Sequence, residues 1–374
     1  MEKVVHHLKQ LLALKPTTRP WHLSFVAALC AGGPVLTGAV FGRVDLGITA
    51  CLGALVILYI RPALPIPQRM IMLAVCSFGF SACFALGLTT SFNVFSAATT
   101  LGVVALLATC ITRYYALPPP GNFFFVLVTA LAHTRPFELE LIPLRVGLIA
   151  LGGILACTLA FLYSLSLSVH LKKQPPSAPV PLTPSTPNQY KPRLHTIVLE
   201  SIVTGLFVGG SYLLAVLVGL ENPYWVPISC CAIMQGSTFT MIWHRKVHRI
   251  LGTTIGMVLA WGILSLPLNP WLLGAVIILL NFIIEFLVVR NYGLAVIFIT
   301  PMTLLLADAA STWDHTEALI LARLLDIILG SIAGFIGGWI LHRSRAFAWV
   351  NKKINPDNSP PKLKLNQRGE TIDP

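Results

Sequence analysis

Charge is scarce in this sequence. Only 11% of the 374 residues are Asp, Glu, Lys or Arg, against about 25% in a soluble chain. With 55% hydrophobic residues, no water-exposed surface could be dressed adequately, which excludes an ordinary soluble enzyme. Acidic residues are the scarcer sign, 14 against 26 Lys and Arg, for a net charge of +12. On a soluble protein that excess would point to nucleic acid; on a chain this apolar, its placement matters first. Paired metal-ligand spacings are also missing. The eight cysteines form no CxxC or Cys/His pattern and read as small apolar packing residues. No secretory leader is read at the amino end, because the first apolar stretch begins after about twenty polar and basic residues and outruns an h-region. No nucleophile–base pair or phosphate-cradling glycine loop is present, so no enzyme, cofactor or metal site is expected. His133, His244, His248 and His315 read as surface histidines without companion ligands.

What is present is long apolar sequence. A bilayer core needs roughly 20 apolar residues per helix. Twelve segments fall at about 21–41, 46–60, 70–88, 92–111, 122–132, 142–169, 196–220, 225–243, 250–268, 271–289, 292–307 and 318–341, the fifth of them short. The expected fold is an all-α polytopic membrane protein of about twelve transmembrane helices. Its parts are a cytoplasmic segment 1–19, a first six-helix repeat 20–170, a proline-rich cytoplasmic linker 171–194, a second six-helix repeat 195–343 and a disordered tail 344–374. The linker has seven prolines between Lys172 and Arg193, the composition of a semi-rigid spacer.

Alternating the loops sorts the charges. Twenty-two of the 26 Lys and Arg fall on one side. The other side has Arg43, Arg135, Arg145 and Arg323 with seven acids, Asp45, Glu138, Glu140, Glu221, Asp308, Asp314 and Glu317. The positive-inside rule then places both termini in the cytoplasm. The +12 is mainly an orientation signal, and no nucleic-acid partner is expected.

The halves also resemble each other. The stretch from Arg145 through Gly152 aligns with that from Arg323 through Gly330 at an offset of 178; Arg69 pairs with Arg249 at 180, and Gly121 with Gly293 at 172. Each unit has an even number of helices, so the copies run parallel and are related by an axis along the membrane normal, with a site expected at their interface. Spaced glycines (Gly38/Gly42, Gly205/Gly209, Gly252/Gly256, Gly330/Gly334/Gly338) read as close helix packing. Pro34, Pro227 and Pro301 interrupt the first, eighth and eleventh helices, as a plain kink or as a broken helix facing a cavity.

Charges inside these segments are costly, roughly 2.5–3.5 kcal/mol at a helix centre, and so mark candidate sites. Glu285 lies in the cytoplasmic third of the tenth segment, with Asn281 one turn earlier. It reads either as a proton site sharing a polar cavity with Asn281 or as a side chain snorkelling to the interface. Asp326 lies three residues after Arg323; the two read either as a proton site and an anion-binding cation or as a mutually neutralising pair. Arg145 and Arg323 start the sixth and twelfth segments at the outer face. Arg245 and Arg249 sit four apart at the amino end of the ninth helix, where the dipole favours anions. Anchoring to anionic lipid is the other reading of that loop.

One run is more specific. Asn222-Pro223-Tyr224-Trp225-Val226-Pro227, then a helix, then Arg245-x3-Arg249-x2-Gly252-Thr253-x2-Gly256, resembles the signature of the fusaric acid resistance (FUSC) family. That family includes bacterial aromatic acid exporters, and plant aluminium-activated malate channels are distant relatives. The resemblance is sharp over about 198–340 and loose before it. It implies a multi-pass protein of the bacterial inner membrane that exports small aromatic or other organic acids, commonly by proton motive force. Within the motif it implies Arg245, Arg249, Tyr224 and Trp225 as substrate-anion candidates and Gly252, Thr253 and Gly256 as motif packing; Arg323, Arg145 and Asn281 join the candidates as polar groups placed in or at the ends of the apolar segments. Some relatives work with a periplasmic adaptor subunit, and a homo-oligomer is compatible with the sequence. Longer members carry sizeable cytoplasmic domains after each six-helix set, where this sequence has the proline linker and the tail 344–374. A passive organic-anion channel and a non-transporting envelope or assembly protein are the competing functions.

Overall fold

The computed structural model describes residues 14, 16–17, 19–117, 119–173, 194–236, 239–308 and 316–343. The linker (except its ends), the tail, most of the amino-terminal segment, Asp314 and His315 lie outside the described residues. Among those described there are twelve α-helices and no strands. They are α1 (Trp21–Val40), α2 (Val44–Ala54, extended by a 3-10 turn Leu55–Tyr59), α3 (Ile66–Thr89), α4 (Val94–Tyr114), α5 (Phe123–Ala132), α6 (Ile142–Lys173), α7 (Leu194–Leu217), α8 (Trp225–Met234), α9 (Phe239–Leu264), α10 (Pro270–Leu287), α11 (Tyr292–Asp308) and α12 (Thr316–Arg343).

Local chemistry sets many of the ends. Asn93 and Asn269 cap α4 and α10, their side-chain oxygens accepting from the Phe95 and Leu272 amides, each at 2.8 Å. Gly42 takes φ +65° in the turn between α1 and α2, a conformation that favours glycine. Pro34 and Pro301 are carried inside α1 and α11. Pro227 is the third residue of α8, in the first turn, where its missing N–H costs little.

The helices are of two lengths. Eight are long and apolar enough to cross a membrane. Four are short: Val44–Tyr59, Phe123–Ala132, Trp225–Met234 and Tyr292–Leu306. At 1.5 Å per residue, the ten residues of α5 or α8 reach only about 15 Å, half of a roughly 30 Å hydrocarbon core. Every third helix, α2, α5, α8 and α11, is a short one flanked by two long ones, and burial explains their place. All ten residues of α8 are buried, and no residue of α5 or of Tyr292–Leu306 is exposed. The long helices surround them and turn apolar stripes outward, such as Ile71, Val75 and Phe78 on α3, each at least 64% exposed. Those stripes would be an aggregation hazard in water and are what lipid requires. This is a multi-pass membrane protein.

The packing has a regular plan. Within the first six helices, α1 packs on α2, α2 on α6, α3 on α5 and α3 on α6; within the second six, α7 packs on α8, α8 on α12, α9 on α11 and α9 on α12. Between the halves, α4 lies along α7 and α10 along α1, with α5 against α8 between them. Glycines permit the tightest contacts. Gly152 on α6 sits against the Ala50 carbonyl of α2, and Gly330 on α12 against the Val226 carbonyl of α8. A methyl at Gly152 would collide with the Ala50 carbonyl oxygen and come within 2.8 Å of the Ala54 nitrogen. Gly152→Val is therefore expected to abolish the folded, monodisperse peak in size-exclusion chromatography. Gly147→Ala, where nothing lies within 4 Å of the added carbon, should leave that peak unchanged.

Candidate functional site

A short helix that stops inside the protein leaves its last carbonyls without helical partners. Where no water reaches, they must be met by side chains. In the first half Arg69, the fourth residue of α3 and 4% exposed, meets the carbonyls of the chain just past the 3-10 turn that ends at Tyr59. Its Nε donates to the Arg61 carbonyl at 3.1 Å, Nη2 to those of Pro62 and Leu64 at 2.5 and 2.9 Å, and Nη1 to Ser164 Oγ at 2.5 Å. The three carbonyls belong to the chain leaving α2. Four of the five guanidinium N–H donors, with all three nitrogens taking part, are used in holding this segment and Ser164.

In the second half the work is divided. Arg245, from α9, donates from Nη1 to the Ala232 carbonyl in the last turn of α8 (3.1 Å) and to Gln235 Oε1 (3.4 Å), with its guanidinium 5.2 Å from the centre of the Tyr292 ring. Gln235 in turn donates to the Pro120 carbonyl (2.7 Å) and to Asn122 Oδ1 (3.2 Å), and Asn122 donates to Thr109 Oγ1 (2.7 Å). This chain ties α8 to the start of α5 across the two halves. Because α9 begins at Phe239, Arg245 and Arg249 are its seventh and eleventh residues, inside the helix and past the amino end where its dipole would favour an anion. Arg249, one turn on, is left differently. It is 4% exposed and its Nη2 donates to Ser229 Oγ of α8 at 3.1 Å. Its Nε is buried without a hydrogen-bond partner, and among the described residues no carboxylate lies within ion-pair distance of it. Arg69 and Arg249 are matched in sequence, yet all three guanidinium nitrogens of the first are engaged and the second has spare donors.

The opposite end of α8 has a second polar group. The Arg323 guanidinium lies 3.0 Å over the Trp225 ring, and Nη2 donates to Thr303 Oγ1 of α11 at 3.1 Å. Arg323 is the eighth residue of α12, two turns in rather than at its start, and is 3% exposed. Asp326 is fully buried and both its carboxylate oxygens lack a hydrogen-bond partner, so no hydrogen bond joins it to Arg323. The matched position in the first half, at the offset of 178, is Leu148. Arg145, the counterpart of Arg323, is the fourth residue of α6 and is engaged by Glu138 (3.1 Å) and the Pro136 carbonyl (3.2 Å). Tyr224 packs its ring 5.0 Å from Trp225 and donates to Asn222 Oδ1 at 3.3 Å.

Two candidates lie elsewhere. Glu285 is buried on α10, but its Oε2 accepts from Arg19 Nη2 at 2.7 Å. Asn281 donates to the Ala27 carbonyl of α1 at 2.9 Å. Both therefore face α1, and each is engaged there rather than open to a shared polar cavity. The motif glycines settle α9 on α11: a methyl at Gly252 would come within 2.8 Å of the Gly293 carbonyl oxygen, and one at Gly256 within 2.6 Å of that of Ile297. Thr253 between them is buried. His133 departs from the surface reading: it is half-buried, with Nε2 3.1 Å from Thr90 Oγ1. Ser229, Thr303 and Gln235 were not legible as site residues, since single neutral side chains in apolar runs carry no pattern. Alignment of Arg113 with Glu285 at the offset of 172 was an available signal for the seam between halves.

The structure thus defines, over its described residues, an all-helical, multi-pass membrane protein in which the buried Ser229, Arg249 and Arg323 lie around one short helix, α8. Residues 210–337, about a third of the chain, match the family model described as fusaric acid resistance protein-like. It is also similar to the uncharacterized membrane protein YvaC of Bacillus subtilis (strain 168), 31% identical over 147 residues. That match covers 39% of this chain and 23% of YvaC, about a quarter of the relative's length. No solved structure matches the chain.

Proposed function

We propose that this protein exports small aromatic or other organic acids across the bacterial inner membrane, driven by the proton gradient. In this reading the chain crosses the membrane twelve times as two parallel six-helix repeats, with both termini in the cytoplasm. The recurrence of the same helix pairings in each half, and the collection of cations on one side, support it. The observation that carries the reading is Arg249: a buried cation without a carboxylate partner, inside the segment that matches the fusaric acid resistance-like family. A carboxylate substrate supplies the charge that Arg249 lacks, with Arg245 and Ser229 beside it. Arg323, stacked on Trp225, is the next cation along α8, and Tyr224 and Trp225 offer aromatic faces. Asp326 is the proton site preferred over Glu285, because Glu285 already holds Arg19. A periplasmic adaptor and a homo-oligomer are compatible partners.

The test is flux of a radiolabelled aromatic carboxylate such as benzoate in proteoliposomes holding the full chain. Uptake that follows an imposed pH gradient supports the exporter. Macroscopic current with a reversal potential blind to pH makes the protein an anion channel. Absence of either, across a panel of organic acids, leaves a non-transporting envelope protein.

A further inference from the structure

Two ion pairs stand apart from the cluster around α8. Arg113, in the last turn of α4, pairs through Nε with Glu200 Oε2 of α7 at 3.2 Å. Glu285, in the last turn of α10, pairs with Arg19, just ahead of α1, at 2.7 Å. The helix pairs α4–α7 and α10–α1 are the two long contacts between the halves. Arg113 and Glu285 are separated by 172 positions, as are Gly102 and Gly274, the glycines that let the same two pairs approach. The two bridges therefore occupy corresponding places with their charges exchanged: cation on α4, acid on α10. Plain duplication would repeat the same residue. What the two places share is complementarity, so the attraction across the seam is the feature common to both.

Both bridges lie at one end of the molecule. Arg61, leaving α2, donates to the Ala116 carbonyl just beyond α4 and has its own carbonyl bonded by Arg69. Arg69 reaches Ser164 on α6, next to Tyr163, whose ring lies 5.4 Å from that of His22 at the start of α1. The Gln235–Pro120 bond brings the end of α8, and with it Arg245, to the same end. The bridges are partly exposed, Arg113 and Glu200 at 39% and 22%, Arg19 and Glu285 at 22% and 6%. A pair as exposed as Arg113–Glu200 is weak and reversible, whereas the buried Glu285 makes its pair with Arg19 the firmer of the two. Along the rest of these two contacts the helices meet through small and apolar side chains, Gly102 against Gly205 and Gly209, and Gly32 against Ile278, with the Asn281–Ala27 bond the polar exception.

We propose that Arg113–Glu200 and Arg19–Glu285 are a matched pair of latches that hold the cation-rich end of the seam between the halves closed, and so regulate access to the Arg249 site. The proposal rests on the transport reading for what the latches regulate, but not for whether they close the seam. The full-length chain with Leu106→Cys, which lies on α4 against Gly205, reports seam opening. Its modification by a membrane-impermeant maleimide is followed in inside-out vesicles, with the labelling of the native cysteines subtracted. Arg113→Glu with Glu285→Arg sets like charges at both latches and is expected to raise the rate at least about fivefold, where one latch alone gives about twofold. Adding Glu200→Arg and Arg19→Glu restores attraction at both and should return the rate to that of the parent. This restoration separates latch loss from misfolding, and Arg113→Gln with Glu285→Gln replaces any reversal that does not fold. An unchanged rate with both latches broken, or no restoration in the full exchange, overturns the proposal. The thiol readout needs no substrate. A latch response without acid flux would sink the transport reading alone; flux without a latch response would sink the latches alone.

Discussion

Arg249→Ala is expected to lower the rate of organic-acid flux by roughly 30-fold or more, the loss of about 2 kcal/mol for a charge-assisted hydrogen bond to substrate, while the protein still folds. The matched substitution Arg69→Ala is expected to do the reverse. Arg69 spends its guanidinium on three carbonyls and Ser164, and each bond to a charged group contributes about 1.5–3 kcal/mol. Its loss strands buried carbonyls beyond α2 and should lower the melting temperature in detergent sharply, or abolish recovery of the protein. Arg249 has one side-chain bond to Ser229, so its removal strands a single hydroxyl. Arg249→Lys tests shape as well as charge: an ammonium keeps the cation but loses the planar fork that meets a carboxylate at two points. Partial rescue of flux by lysine supports an anion site. Equal loss of stability in the two alanine variants, with flux per folded molecule unchanged at Arg249, would make both arginines structural.

The second large effect is at Asp326. A carboxylate that is fully buried with neither oxygen bonded is costly wherever it serves no purpose, by several kcal/mol when ionised. Its counterpart Leu148 shows that the architecture accepts a leucine at the matched place. Asp326→Leu is therefore expected to raise the melting temperature and to abolish the dependence of acid flux on the pH gradient. Asp326→Asn should give the same uncoupling with little change in stability. Together they would show a group retained for function against stability. If Asp326→Leu leaves coupled flux intact, the proton site lies elsewhere, and Glu285→Gln is the next variant to measure. Loss of coupling there, with flux itself retained, would transfer the role to Glu285.

The equivalence of Arg69 and Arg249 shows where sequence stops. In sequence both are arginines ending a basic run before an apolar segment, yet Arg69 is the fourth residue of α3 and Arg249 the eleventh of α9. Only the fold reveals that the three carbonyls beyond α2 converge on Arg69, whereas at α8 the corresponding capping falls to Arg245 and leaves its neighbour with spare donors. Arg323 and Asp326 make the same point. Their spacing of three suggests a neutralising pair, but Arg323 is drawn onto Trp225 and Thr303 from two other helices, and no hydrogen bond returns to Asp326. Glu285 had no cation within one turn on its own helix. Its partner, Arg19, is 266 residues away in the chain.

The sequence by itself determined the class of protein and its helices. Too few charges for a water-facing surface, apolar runs of membrane length, cations sorted to one side and a family-like motif at 222–256 are all properties of composition and local order, which act before any tertiary contact forms. It also carried the matched glycines Gly152 and Gly330, each demanded by a close backbone approach. The tertiary structure alone decided that four of the helices are short and enclosed, because their apolar sequences look like those of lipid-facing helices and differ only in what surrounds them. It decided equally which charges are satisfied, since satisfaction depends on carbonyls, hydroxyls and rings supplied by helices distant in the chain.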